Sequence, residues 1–159
     1  MKTLHTLALG LACGAVLCAL VYVAPPARRA VFCSEIVNPY ELTVLYVVTV
    51  PASEHQRFND DFIRFAQARG LGFGSGSYRA PDADGGPWYL NRKVTACDGK
   101  TFAWSSNIAR ADEFVVTFHY NRLFGSRETE EITDAFVAEF RPRYKIETED
   151  DDLNRRPVR

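Results

Sequence analysis

Three histidines, four cysteines and the aspartates at 60–61 and at 82 and 84 are the residues of this chain best suited to chemistry, and their spacing gathers few of them. His5 precedes a long apolar run, His55 falls in the first turn of an expected helix, and His119 shares a strand face with Thr117 and Asn121. A hydrolase needs a nucleophile, a base and an orienting group that converge, and no serine here stands in a nucleophile-elbow context. Asp60-Asp61 and Cys97-Asp98 are bare pairs. The glycine-rich stretch 70–77 has the composition of a phosphate loop but follows a helix, whereas such loops follow a strand and open a helix. Asp82 and Asp84 lack the third ligand and the position-twelve glutamate of a calcium loop. A metal on His119 would need acidic or cysteine partners from elsewhere in the chain. No catalytic, cofactor-binding or metal-ligating set is predicted. The candidate site residues are His119 and Asn121, with the aromatic pair Trp88 and Tyr89.

The cysteines say more about compartment. Cys13 and Cys18 lie inside the apolar run, leaving Cys33 and Cys97 as an even pair. They either form a disulfide or stand as two separate buried thiols. A bond would close a loop of more than sixty residues, contribute about 4 kcal/mol in the chain-entropy model and require an oxidising space.

Residues 6–24 carry no charge, and as a helix would cover about 28 Å, close to the ~30 Å hydrocarbon core of a bilayer. An uncleaved single-pass anchor over residues 1–24 fits best, with Tyr22, Arg28 and Arg29 at its interfacial edge. A cleaved signal peptide, releasing a secreted domain, is the alternative; its cut would place Tyr22, Pro25 or Arg28 where a small residue is needed. A lipoprotein cut before Cys13 is a third reading, weakened by Gly10. Lys2 balances Arg28 and Arg29, so orientation rests on the cysteine pair, which favours an extracytoplasmic (periplasmic) domain. Pro25 and Pro26 make residues 25–35 read as a short stiff linker.

Net charge is −1 and the basic residues are scattered, which leaves no electrostatic case for nucleic acid. Arg outnumbers Lys fifteen to four, a coding bias of GC-rich bacterial genomes. Aromatic residues make up 13% of the chain and nearly all follow residue 31, ample material for one core.

That core is expected in a single α+β domain over residues 36–148. Residues 41–50 are apolar on both alternations and read as a central strand ended by Pro51. Ser53 to Gln56 has the form of a capping box, opening a helix whose Phe58, Phe62 and Phe65 face inward while Asn59, Asp60, Arg64 and Gln67 face water. Gly70 with Leu71 closes it. Residues 71–79 suit a glycine-weakened edge strand, followed by a loop over 80–87. Residues 88–96 and 100–106 flank Asp98-Gly99 as a hairpin, pairing Thr95 with Phe102 and Lys93 with Trp104, a cation-π contact. Residues 113–121 alternate as a strand with an aromatic face. Ser126 caps a second helix, which Pro142 stops. Residues 144–147 close the sheet, and the charge-segregated stretch 149–159 reads as a disordered tail.

This order predicts a mostly antiparallel sheet with two helices on one face, ferredoxin-like with an added hairpin. Such a layout carries almost no functional information by itself. The expectation is a membrane-anchored extracytoplasmic binding or interaction domain of a bacterial envelope, with an unidentified protein partner and no cofactor. Exposed aromatics around Phe73, Tyr78, Trp88 and Tyr89 would supply the interface. The alternative is a small hydrolase or metal-dependent enzyme built on His119.

Overall fold

A computed structural model of the chain describes residues 13–16, 18–19, 24–33, 39–80, 89–107 and 112–148, apart from the side chains of 77–80 and 89–92. Its elements in chain order are α1 (Pro25–Phe32), β1 (Tyr40–Thr49), a 3-10 turn (Ala52–Glu54), α2 (His55–Ala68), β2 (Gly72–Ala80), β3 (Tyr89–Cys97), β4 (Thr101–Asn107), β5 (Glu113–Asn121), α3 (Arg127–Phe140) and β6 (Lys145–Thr148). Six strands form one antiparallel sheet in the order β2-β3-β4-β5-β1-β6. The protein is therefore α+β.

Alternation along the central strands decides which face is roofed. Tyr46 and Val48 of β1 and Phe114, Val116 and Phe118 of β5 all point to the near face, where α2 and α3 lie side by side. Phe62 and Phe65 of α2 meet Phe136 of α3 at centroid distances of 6.2 and 5.7 Å, and Phe58 meets Phe140 at 5.6 Å. These perpendicular ring pairs fill space that aliphatic side chains of the same length would leave open. Thr101 of β4 and Thr129 of α3 share a buried hydroxyl hydrogen bond of 2.8 Å inside this layer.

Helix ends show which local signals the tertiary structure uses. At the C-terminus of α2, Leu71 N–H donates to Ala66 C=O and Gly70 N–H to Gln67 C=O, both at 3.0 Å, with Gly70 at φ 71°. This is the left-handed glycine ending expected from Gly70-Leu71. The Ser53 capping box does not form, because a 3-10 turn intervenes and makes Glu54 the cap residue. His55 enters the α2 turn with its ring 3.1 Å from the Val50 carbonyl. Asp61, only 6% exposed, is paired with Arg64 and Arg143 and lies 4.0 Å from Arg57, which ties the turn after α3 to α2.

Two expectations are corrected here. The stretch read as a stiff linker is helix α1, with the proline pair in its first turn, where a missing N–H costs no helical hydrogen bond. Arg28 and Arg29, expected at an interfacial edge, bond to the folded domain. Arg28 is 7% exposed and donates through Nε to Asp98 C=O at 3.0 Å, and Arg29 bonds the Gly70 carbonyl. The hairpin register is also displaced by two residues. Cys97 pairs with Phe102 and Thr95 with Trp104, because the turn residues are Gly99 and Lys100, with Gly99 at φ 89° and Asp98 Oδ1 accepting from the N–H groups of Lys100 and Thr101 at 2.8 Å. Glycine at the first central position is what this two-residue turn demands. An even displacement leaves every side chain on its expected face, so Lys93 still reaches Trp104 diagonally, 5.2 Å from the ring.

Most of the expected anchor, residues 1–12, 17 and 20–23, lies outside the described residues. Residues 13–16 and 18–19 are helical and exposed, and among the described residues no helix is long and apolar enough to cross a membrane. The expected loop over 80–87 and tail over 149–159 also fall almost wholly outside the description.

Candidate functional site

Of the residues singled out by type, His119 sits on the far face of β5, half-buried, with Nε2 2.9 Å from Thr117 Oγ1 and its ring 5.8 Å from that of Phe102. Burial lowers its imidazole pKa below the ordinary value, so the ring is neutral at pH 7. Phe102 pairs with His119 on one side and Cys97 on the other, so an aromatic ring separates the imidazole from the cystine. Among the described residues no three His, Cys, Asp or Glu side chains gather as a metal site requires. Nothing here orients His119 as a general base.

Asn121 has a structural use. It is fully buried, its Nδ2 donates to Gly99 C=O at 2.8 Å and its Oδ1 accepts from Leu123 N–H at 2.9 Å, which links the β3-β4 turn to the turn after β5. Trp88 lies outside the described residues, and Tyr89 opens β3 with its side chain outside the description.

Cys33 and Cys97 are joined by a disulfide with a Cα–Cα separation of 5.9 Å across 64 positions. The bond closes the end of the sheet under α1. Tyr40 O–H lies 3.3 Å from Cys97 Sγ, and burial, with Asp98 nearby, pushes the phenol pKa far above its ordinary value. Phe32 packs edge-on against Phe124 at 5.8 Å. Cystine and phenol are thus packed against each other, and the imidazole lies half-buried beside Phe102.

The feature that resembles a binding site lies at the opposite margin of α2. There a groove of about 410 Å³ separates the helix from the outermost strands. Gln56, Asn59, Asp60 and Ile63 form its helical wall. Ser75 and Gly76 of β2 with Lys93 and Val94 of β3 form the other. Asn59 is 4% exposed, and its Oδ1 is buried with no hydrogen-bond partner among the described residues. A buried amide oxygen left without a donor costs about 1–3 kcal/mol, and native proteins hold few of them. Asp60 accepts from Gln56 Nε2 at 2.8 Å and has no ion pair among the described residues. Lys93 does not neutralise it, since its ammonium lies over Trp104 on the far face. The groove thus holds two acceptors, the Asn59 oxygen and the Asp60 carboxylate, of which only Asp60 has a donor among the described residues.

Comparison with protein-family models, with curated proteins and with solved structures finds no match to the chain.

Sequence patterning placed Asn59 with the wet residues of α2, since asparagine beside Phe58 ordinarily marks the polar boundary of an amphipathic helix. The signal that was present is the glycine-serine run of β2. A strand with small side chains at 74–76 cannot fill the space beside a helix, and the helical residue facing it ends up buried in a groove. Phe73, two residues before Ser75, is 47% exposed, and it is the one member of the expected aromatic interface whose side chain is described.

Proposed function

We propose that this chain is an extracytoplasmic binding domain of a bacterial envelope, held at the membrane by its leading apolar segment, that receives a protein partner in the groove between α2 and β2. The single observation that carries the reading is the buried, partnerless Asn59 oxygen in the wall of an open groove, an energetic cost that a bound ligand with N–H or O–H groups would offset. The Cys33–Cys97 bond supports an oxidising compartment, since disulfides persist there and are rare in the cytosol. The strand order supports a finer description of the fold as ferredoxin-like with an added hairpin: β1 lies between the last strand and β5, and β3 and β4 extend the sheet between β5 and β2. The 19-residue uncharged run supports the tether, with secretion after cleavage as the alternative.

A photo-crosslinking residue placed at Ser75 in cells expressing the full chain tests the binding reading. It is expected to give one discrete adduct in the envelope fraction, absent when the crosslinker stands at the exposed Glu131 on α3. Equal labelling from both positions, or none from Ser75, would refute it. A C-terminal reporter active only outside the cytoplasm tests the compartment separately.

A further inference from the structure

Resting on that reading of the groove, we infer that its occupant is an extended polypeptide segment that adds to β2 as a seventh strand and lays a basic side chain against Asn59 and Asp60. An edge left unpaired among the described residues is the first ground. The sheet ends in β2 on one side and β6 on the other, and the two ends differ. β6 has four residues and carries Lys145 and Glu147, the short charged form by which proteins protect an edge from pairing. β2 has nine residues, with neither charge nor proline from Gly72 to Tyr78. Alternate residues of such a strand turn N–H and C=O groups outward together, a ready template for another chain.

Gly76 is the second ground. A side chain at Gly72 would stand 3.3 Å from the Cys97 carbonyl, and one at Gly74 3.3 Å from Thr95 Oγ1, so packing within the chain accounts for both glycines. At Gly76, which lines the groove, an added Cβ would meet nothing within 4 Å, and its φ is not in the left-handed region. Among the described residues no contact accounts for a glycine there. Close approach of a second backbone would, which is a known use of glycine within a strand.

The third ground fixes the chemistry of the guest. Side chains of an added strand alternate between faces, so one set falls on the near face beside Phe73 and Ser75 and against α2. There they meet the Asp60 carboxylate, which accepts from Gln56, and the Asn59 oxygen, which has no donor among the described residues. A lysine or arginine supplies the missing donors and the missing positive charge. An acidic side chain would face like charge.

Selection of phage-displayed random decapeptides on the full, oxidised chain in detergent tests the inference. Enriched peptides are expected to share Lys or Arg at one fixed position within a β-branched context. Methylating the backbone nitrogens of one alternate set in a synthetic copy should weaken binding by about tenfold or more, while methylating the other set changes it little. Asp60→Asn should weaken the same peptide about tenfold, and replacing its basic residue by norleucine should remove that difference. Enriched peptides indifferent to both methylation phases, or carrying Asp or Glu at the fixed position, would overturn it. So would failure to enrich any peptide when the Ser75 adduct forms in cells, because the groove would then hold some other ligand. Loss of the Ser75 adduct itself would instead remove the binding reading on which this rests.

Discussion

Replacing Asn59 by leucine is expected to stabilise the fold and to abolish the Ser75 adduct, an opposition that separates a binding site from ordinary core. The magnitude follows from the surroundings. Removing a buried acceptor that has no donor recovers about 1–3 kcal/mol of desolvation cost. Leucine also exceeds asparagine in helix propensity by a few tenths of a kcal/mol, and α2 is regular at this position. The groove leaves about 410 Å³ beside Ile63 and Val94, so the larger side chain does not overpack the layer. A net gain of about 1–2 kcal/mol, at roughly 4 °C per kcal/mol for a domain of this size, should raise the melting midpoint by about 4–8 °C. Thermal and urea unfolding of the oxidised chain measure it. Asn121→Leu is the control: that amide is as well buried but bonded to Gly99 C=O and Leu123 N–H, and its loss should cost about 2–4 kcal/mol. If Asn59→Leu lowers stability as Asn121→Leu does, the Asn59 amide is a satisfied structural group and the groove loses its claim to a ligand.

Three other outcomes are fixed by the structure. Cys33→Ser should lower unfolding stability by about 4 kcal/mol, from the entropy released when a loop of 64 residues opens, and reduction of the unaltered chain should reproduce the loss in the same urea titration. Burial depresses the His119 pKa in the folded state, so the unfolded chain binds its proton more tightly. Its contribution is complete above the unfolded value of about 6.5 and is lost as pH falls through the lower folded value, and His119→Gln should flatten that part of the stability profile measured between pH 7 and pH 5. Gly99→Ala should cost about 2–4 kcal/mol by urea unfolding, since it forces alanine to φ 89° and brings a Cβ to 2.9 Å from the Arg28 carbonyl and into the Arg28 Cγ.

Periodicity located the helices and strands well because burial and sequence period coincide where aromatic residues dominate. Phe58, Phe62 and Phe65 repeat at helical spacing and all are buried, and residues 113–121 alternate as β5 does. Boundaries that depend on a single local signal fared worse. Pro25-Pro26 suits a stiff linker and the first turn of a helix equally; the choice was made by Arg28 and Cys33, whose partners are about seventy and 64 residues away and invisible to any local pattern. Asp98-Gly99 marked the hairpin, but Asp98 caps the turn with its side chain, and the register moved by two. The candidate site was the least legible part. His119 and Asn121 were chosen for residue type, whereas the groove depends on what β2 lacks, and a missing side chain acquires meaning only when the neighbouring helix is in place.

Sheet width explains why that groove exists at this margin. An α-helix with its side chains is about 10 Å across and strands lie about 4.8 Å apart, so two helices packed side by side roof about four strands. This sheet has six. α3 is committed to β1 and β5 by Phe136 against Tyr46 and Phe118, at 5.8 and 5.3 Å, and α2 is held beside it by the shared phenylalanine cluster. Neither can slide outward without opening the core. The uncovered width must therefore fall at the edges, where β6 is kept short and charged while β2 is long, uncharged through Tyr78 and reduced to glycine and serine at 74–76. Filling the ledge with a bulky residue at Ser75 would restore a continuous surface, and burying more apolar area there would stabilise the domain. A small residue at that position forgoes this gain, and it does so beside the one helical amide whose oxygen lacks a donor. Other buried polar atoms among the described residues also lack a partner, but here one coincides with a strand of small side chains, as expected when a site is kept open for a guest that completes the sheet.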